Sequence, residues 1–353
     1  MARKSDIRAL LIFSLVLLSA GTVSAQQTFN TTIYFDYTSY LSSDGPITSN
    51  PKDNFFTFRR AYFTYENKIN DNLKFRFRYD ADNTANLTSF DIKTGSSKKD
   101  DKLRPFVKHL FLDYAGLLPN SSLKIGMTPT LTFELAEARW GYRSVAKTLV
   151  DGYKDITGVE IDASSADIGA NLTGSLAKYV RYGFMFYNGT GYTHPEGDGY
   201  KKFAGNVQLI PVAGLSIVGY MDYEKQDEDN SATTYKVDGY FEMVRNLVVG
   251  AEYVLYMNDK FLTADKAQYD VSGFSIFGRY TFRPDVFALF ARFDSYEPNS
   301  QVGDDEMSLA IVGLDWAPIH KSIKFQPNVW FRSYSNSEYK NDVIFNFTFF
   351  MSF

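Results

Sequence analysis

The amino-acid sequence predicts an all-β protein, a single transmembrane antiparallel β-barrel of about sixteen strands. Aromatic residues make up 17% of the 353-residue chain, yet its mean hydropathy is slightly polar, at −0.25. Polar and apolar residues alternate along segments of about ten residues, the length at which a tilted strand crosses a bilayer. Short turns alternate with longer polar loops, as the periplasmic and extracellular connections of bacterial barrels do.

The N-terminal segment has the pattern of a secretory signal peptide. Arg3, Lys4 and Arg8 precede an apolar run over residues 9–18, and the small residues Val23 and Ala25 follow at cleavage positions. We therefore predict a signal peptide over residues 1–25 and a barrel over residues 26–353. The apolar run is shorter than the roughly 20 residues that a membrane helix needs.

Alternation is clearest at the two ends of the mature chain. In the last strand, apolar residues occupy every second position: Val343, Phe345, Phe347, Phe349, Met351 and Phe353. Near the front, Lys74, Arg76 and Arg78 alternate with apolar residues. Charges of this density cannot face lipid, so the polar face must line the lumen. We also predict one long strand over residues 158–176 and a short turn at residues 318–320.

Composition and motifs argue against enzymatic or metal chemistry. The chain contains no cysteine, and its three histidines, His109, His194 and His320, lack the spacing of metal ligands. No Gly-x-Ser-x-Gly motif occurs, and a net charge of −4 gives no reason to expect nucleic acid. We predict no enzyme, no cofactor and no metal; an outer-membrane phospholipase with a lipid-facing His109 is the remaining enzymatic alternative.

Residues 130–154 form the predicted third loop, which we expect to fold into the lumen and constrict it. Arg139, Arg143 and Lys147 lie beside acidic residues there, and a helix over residues 133–150 would place them on one face with Leu135. Facing charges of opposite sign across a constriction select ions by charge. The alternative is a solvated surface loop.

The predicted selectivity residues combine this loop with basic strand positions. Arg59 and Arg60 are adjacent, so strict alternation directs one to the lumen and the other to lipid, a loop or a subunit contact. The pore-lining candidates are Arg60, Lys74, Arg76, Arg78, Lys124, Arg139, Arg143 and Lys147.

Three segments resemble a known family. Residues 58–62, FRRAY, and residues 72–80, NLKFRFRYD, resemble the front of the phosphate-selective porin O and P family, and residues 123–129, LKIGMTP, look like the strand that leads into its constricting third loop. The terminal Phe353 is similar to the signal that the barrel-assembly machinery recognises. The resemblance implies a trimer of sixteen-stranded barrels with an inward-folded third loop. It does not imply that every member of the family selects phosphate.

The expected function is passive diffusion of small hydrophilic solutes and ions through an outer-membrane porin, with an anion or phosphate preference if basic residues dominate the lumen. Expected partners are outer-membrane lipid, lipopolysaccharide, the assembly machinery and two further copies in a homotrimer, for which lipid-facing Gly219, Gly239, Ala251 and Gly278 allow close packing. One alternative is a channel specific for oligosaccharides or dicarboxylates, with Tyr220, Tyr240, Tyr256 and Trp330 as an aromatic slide. Another is a structural or adhesive barrel without an open pore.

Overall fold

The computed structural model describes residues 26–42, 54–82, 88–91, 96–99, 104–151, 153, 161, 163–259 and 269–353. The predicted signal peptide, residues 1–25, lies outside the described residues. Within the described ranges, no helix is long and apolar enough to cross a membrane.

Sixteen of the eighteen described strands form a closed antiparallel barrel, which confirms the predicted fold class and strand number. In chain order, the strands are β1 (Gln26–Ser42), β2 (Asn54–Lys68), β3 (Leu73–Asp82), β4 (Thr88–Asp91), β5 (Ser96–Lys99), β6 (Arg104–Ala115), β7 (Ser121–Pro129), β8 (Ala166–Ala177), β9 (Val180–Tyr187), β10 (Lys202–Val212), β11 (Leu215–Lys225), β12 (Ser231–Phe241), β13 (Leu247–Asn258), β14 (Tyr269–Arg283), β15 (Phe287–Glu297), β16 (Met307–His320), β17 (Ile323–Tyr334) and β18 (Asp342–Ser352). β4 and β5 form a separate two-stranded sheet in the connection between β3 and β6.

The first and last strands pair to close the barrel. Phe35 of β1 lies opposite Phe349 of β18, and their rings stack with centroids 4.5 Å apart. Beyond the end of β18, Thr31 and Phe353 exchange two backbone hydrogen bonds of 2.9 Å. Closure leaves no unpaired sheet edge, which is the condition for a sheet to exist in lipid.

The two faces of the barrel wall differ in polarity. Along β11, Ile217 and Met221 on the outer face are each 46% exposed, whereas Asp222 and Glu224 point inward and are buried. Period-two alternation produces this division because successive side chains leave opposite faces of a strand. A closed barrel with an apolar outer surface places this protein in the bacterial outer membrane.

Short periplasmic turns join the strands at one end and longer extracellular connections join them at the other. The turn predicted at residues 318–320 is wrong, because β16 continues to His320 and the chain turns at residues 321–322. The β16–β17 register is irregular between Trp316 and His320, and proline is tolerated at such an irregularity. The strand predicted over residues 158–176 is also misplaced, since β8 spans Ala166–Ala177 and residues 154–160 and 162 lie outside the described residues.

Two β-bulges alter the direction of side chains on neighbouring parts of the wall. In the β1–β2 pairing, Tyr34 lies opposite Arg60 and Phe35 opposite Phe58, so Arg59 is an additional residue. A bulge lets consecutive side chains point to the same face. Arg59 and Arg60 therefore both point inward, and the expectation that one of them faces away from the lumen is wrong.

The second bulge lies in the β3–β6 pairing. Arg78 pairs with His109 and Tyr79 with Val107, which leaves Lys108 as the additional residue. Lys108 and His109 are both buried on the inner side of the wall, while Leu110 on the outer face is 45% exposed. The idea of a lipid-facing His109 in a phospholipase is therefore wrong.

The third loop joins β7 to β8, and its described part contains one short helix, α1 (Glu134–Trp140), and a 3-10 turn (Leu149–Asp151). The predicted helix over residues 133–150 is too long. Gly141 adopts φ 75°, a left-handed conformation that ends an α-helix and suits glycine. Arg143 and Lys147 consequently do not share a helix face with Leu135.

Candidate functional site

A group of inward-facing cations, here called the basic wall, lies on the adjacent strands β2, β3, β6 and β7. Its members are Arg60, Arg76, Arg78, Lys108 and Lys124. The ring of Tyr62 lies at its centre, with the charged groups of Arg60, Arg78 and Lys108 at 5.5, 5.0 and 5.4 Å from the ring centroid. Cation–π attraction stabilises these cations close to one another.

Two aspartates of β3 neutralise part of the basic wall. Arg60 lies 2.7 Å from a carboxylate oxygen of Asp82 and 3.4 Å from one of Asp80, and the Lys108 ammonium lies 3.5 Å from the other oxygen of Asp80. All of these side chains are buried. Asp80 and Asp82 therefore balance Arg60 and Lys108.

The two arginines of β3, Arg76 and Arg78, have different partners from Arg60 and from each other. Arg76 donates to Glu66 on β2 at 2.6 Å. Arg78 donates to the hydroxyl of Thr64 at 2.8 Å, and no carboxylate among the described residues forms an ion pair with it. Arg78 is thus a basic-wall cation whose charge is not balanced by a contacting carboxylate.

The remaining predicted strand residues lie toward the periplasmic ends of β3 and β7. Lys74 is exposed near the start of β3. The Lys124 ammonium lies 3.7 Å from Glu134 of the third loop, farther than a hydrogen bond. This contact joins the basic wall to the first residue of α1.

Trp140 anchors the third loop to the inner side of β14 and β15. It is fully buried, and its ring centroid lies 5.4 Å from that of Phe277 and 5.8 Å from that of Phe290. Phe277 lies over Gly250 of β13, and Phe290 lies over Gly313 of β16, where a Cβ atom would collide with the ring. Glycine at these two strand positions makes room for the aromatic cluster.

Polar contacts hold the same loop from several strands. Arg59 of β2 donates to the carbonyl oxygens of Ser144 and Val145, and Arg292 of β15 donates to that of Lys147. The hydroxyl of Ser144 also donates to Gln326 of β17 at 2.6 Å. These contacts fix residues 144–147 between widely separated parts of the wall.

The charges within the described part of the loop largely balance one another. Arg143 lies 3.0 Å from Glu137 and 2.9 Å from Asp151, and Lys147 lies 3.4 Å from Asp151. Burial alone would raise the pKa of Asp151, but Arg143 and Lys147 favour the ionised carboxylate and hold that pKa below its ordinary value. Arg139 is paired with Glu242, beyond the end of β12, at 2.6 Å.

The structure therefore groups seven of the eight predicted residues in two sets and leaves the exposed Lys74 outside both. Arg60, Arg76, Arg78 and Lys124 belong to the basic wall, and Arg139, Arg143 and Lys147 lie in ion pairs of the third loop. Sequence reasoning assigned only one of Arg59 and Arg60 to the lumen and missed Lys108, because Arg59 and Lys108 are each the additional residue of a bulge that period-two alternation does not reveal. Arg59 and Lys108 each precede another polar residue in the sequence, Arg60 and His109. Two adjacent polar residues within a strand are the sequence feature that could have indicated a bulge.

The tyrosines proposed as an aromatic slide are mostly enclosed. Tyr220, Tyr240 and Tyr256 are 6%, 1% and 0% exposed, and Tyr240 lies in the same apolar cluster as Trp140. Trp330 is only partly buried and donates to Asn328 at 2.8 Å. These side chains do not form a continuous exposed aromatic surface. No cluster of potential metal ligands occurs among the residues described.

Several solved outer-membrane proteins share this fold. The outer-membrane channel DcaP of Acinetobacter baumannii is 10% identical, with 93% of this chain and 97% of that chain covered and a TM-score of 0.63. The anion-selective porin of Comamonas acidovorans is 9% identical, with 93% and 100% covered and a TM-score of 0.62. The trimer form of OmpT of Vibrio cholerae is 12% identical, with 93% and 99% covered and a TM-score of 0.59.

Sequence comparison gives a different result from structural comparison. No family model matches the chain, and no curated protein is significantly similar to it. The resemblance to the phosphate-selective porin O and P family is therefore supported at the level of a porin-type barrel and not of that particular family.

Proposed function

We propose that this protein is a porin that lets small hydrophilic solutes and ions diffuse passively across the outer membrane, with a preference for anions. Polar and charged side chains line the inner face of β2, β3, β6 and β7, while an apolar cluster around Trp140 packs the third loop against β14 and β15. A polar lining is what separates an aqueous channel from a barrel whose interior is filled by apolar side chains. Similarly folded proteins include an outer-membrane channel and an anion-selective porin, and this likeness supports the proposal.

The third loop, folded into the lumen, and the basic wall form the constriction in this proposal. The Lys124–Glu134 contact ties the loop to the basic wall, while Arg59 and Arg292 hold residues 144–147. Fixed side chains at a narrow point impose their electric field on a passing ion far more strongly than they would in bulk water.

The observation that carries the anion preference is the position of Arg78, which contacts no carboxylate among the described residues. In the described ion pairs of β2, β3, β6, β7 and residues 134–151, taken together with Arg78, cations exceed carboxylates by one. The cations are Arg59, Arg60, Arg76, Arg78, Lys108, Lys124, Arg143 and Lys147, and the carboxylates are Asp36, Glu66, Asp80, Asp82, Glu134, Glu137 and Asp151. An excess of one positive charge supports a modest preference and not a strict anion filter.

Planar-bilayer recording tests the proposal. The purified protein should conduct, and its reversal potential in a potassium chloride gradient should favour chloride over potassium. Added phosphate should compete with chloride if the basic wall binds it. A protein that inserts without conductance contradicts the channel function, and a reversal potential that favours potassium contradicts the anion preference.

We also propose a processing and assembly route for the chain. Residues 1–25 direct export and are removed, the assembly machinery inserts the barrel through a C-terminal signal that includes Phe353, and three copies associate among lipid and lipopolysaccharide. Outward-facing Gly219, Gly239, Ala251 and Gly278 supply the close-packing surface for the trimer. The solved trimer form of OmpT of Vibrio cholerae agrees with this assembly.

A further inference from the structure

We infer that the periplasmic half of the lumen binds a polyhydroxylated carboxylate, that is, an acidic sugar, as it passes the third loop. The inference rests on the proposed channel function and adds a substrate class to it. Two adjoining cavities of about 470 and 550 Å³ lie at this level, and Glu134 lines both. Both volumes fall in the range of about 300–1,000 Å³ that small-molecule sites occupy.

The first cavity is charged. Lys68, Lys74, Arg76 and Lys124 line it together with Glu66, Asp113 and Glu134, and Lys68 is also ion-paired with Asp71 at 2.6 Å. Arg76 is engaged by Glu66 at 2.6 Å, but the ammonium of Lys124 is 3.7 Å from Glu134. A ligand carboxylate that approaches Lys124 therefore gains a charge-assisted hydrogen bond that Glu134 does not make at that distance.

The second cavity carries neutral hydrogen-bonding groups. Asn206 and Gln208 of β10 line it with Thr173 and Ser175 of β8. Amide and hydroxyl groups both donate and accept, as sugar hydroxyls do, so they can satisfy several hydroxyls of one ligand. Arg181 adds one further cation to this cavity.

The third loop gives the second cavity an apolar side. Leu131 and Leu135 line it opposite the polar strand positions. A sugar ring has the same two-sided character, because its hydroxyls point outward from a ring whose C–H groups form an apolar face. The leucines can cover that face while β8 and β10 bind the hydroxyls.

The two cavities meet where β6 and β7 pair. Ser122 of the second cavity donates a hydrogen bond to Asp113 of the first, and Ser122 and Lys124 are inward-facing neighbours on β7. A ligand with its carboxylate at Lys124 and its hydroxyls at Asn206 would span both. A simple carboxylate uses only the charged cavity, and a neutral sugar uses only the second.

Current-blocking measurements on the intact channel test this inference. Glucuronate, acetate and glucose are added separately to the periplasmic side while chloride current is recorded. Glucuronate should interrupt the current at a concentration about tenfold lower than acetate or glucose, because one or two additional hydrogen bonds give about this factor. Equal sensitivity to the three solutes overturns the inference and leaves the channel function intact, whereas a protein without conductance overturns the channel function itself.

Substitutions in each cavity test which part of the ligand that cavity binds. Replacing both amides, Asn206→Ala with Gln208→Ala, should weaken block by glucuronate about fivefold and leave block by acetate unchanged. Lys124→Gln should weaken block by both carboxylates. Val207→Ala is the matched control, since Val207 lies between the two amides on the outer face of β10 and is 45% exposed. An amide double variant that affects glucuronate and acetate equally, or neither of them, contradicts the role of the second cavity.

Discussion

Arg59 of β2 is ion-paired with Asp36 of β1 at 2.7 Å, and the same guanidinium donates to the carbonyl oxygens of Ser144 and Val145. The contact exists because a bulge turns Arg59 inward beside Arg60. The additional residue of the bulge thus places a cation in the lumen, and its guanidinium forms hydrogen bonds that link β2 to the third loop.

Arg59→Met should loosen the third loop. Methionine keeps the apolar stem but removes the donors to residues 144 and 145, so the loop loses its attachment to β2. Single-channel records should show more frequent current fluctuations than the wild-type protein. Arg283→Met is the control, because Arg283 is exposed at the periplasmic end of β14; fluctuations that do not rise above this control contradict the anchoring role of Arg59.

Arg78→Gln should shift ion selectivity toward cations. The substitution removes the charge that no described carboxylate contacts, and one charge at about 4 Å in water is worth about 1 kcal/mol, which corresponds to about fivefold in a permeability ratio. Adding Arg76→Ala should increase the shift. Reversal potentials in a salt gradient measure the change in the anion-to-cation permeability ratio. Lys178→Gln, in a periplasmic turn, is the control. An unchanged permeability ratio in the double variant contradicts a role of β3 in selectivity.

Gly313→Ala should destabilise the packing of the third loop. The new methyl group would collide with the ring of Phe290, on which Trp140 packs, and overpacking of this kind costs about 1–3 kcal/mol. Trp140 is one of three tryptophans, so intrinsic fluorescence should change together with unfolding in denaturant. Gly205→Ala should have little effect, because its methyl group would meet Phe184 at an ordinary 3.6 Å; equal losses in both variants would contradict a specific role for the aromatic cluster.

Deletion of Phe353 should lower the amount of folded protein in the outer membrane. The residue is 61% exposed, and its backbone exchanges two hydrogen bonds with Thr31 at the seam between the first and last strands. Phe353→Ala keeps the backbone pair and removes only the ring, so comparison of the two variants by heat-modifiable mobility separates seam pairing from the insertion signal. Normal amounts of folded protein in both variants would exclude an assembly role for Phe353.

Gly239→Trp should weaken the proposed trimer. Gly239 lies on the outer face of β12 with no atom within 4 Å of an added Cβ, so the substitution fits the isolated barrel but would obstruct a neighbouring subunit. Native mass measurement should find trimers of the wild-type protein and smaller species of the variant. Leu110→Trp, on the outer face of β6, should remain trimeric; monomers of the wild-type protein would contradict the assembly.

The amino-acid sequence by itself determined the barrel, its sixteen strands and the inner or outer position of most strand residues. Alternation with a period of two follows from the geometry of a strand and needs no knowledge of neighbouring strands. Leu110, Ile217 and Met221 lie outside and Asp222 and Glu224 inside for this local reason.

Only the tertiary structure decided the directions of Arg59 and Lys108 and the partners of the basic wall. A bulge is defined by the register between two strands, and the residues paired with these positions are distant in the chain. The fit of Trp140 against Phe277 and Phe290 likewise requires the closed barrel, because these residues lie on elements far apart in the chain and closure brings the inner faces of those elements around one lumen. Local pattern specifies which side of a strand a residue occupies, but the net charge at a constriction depends on which side chains meet there across the barrel.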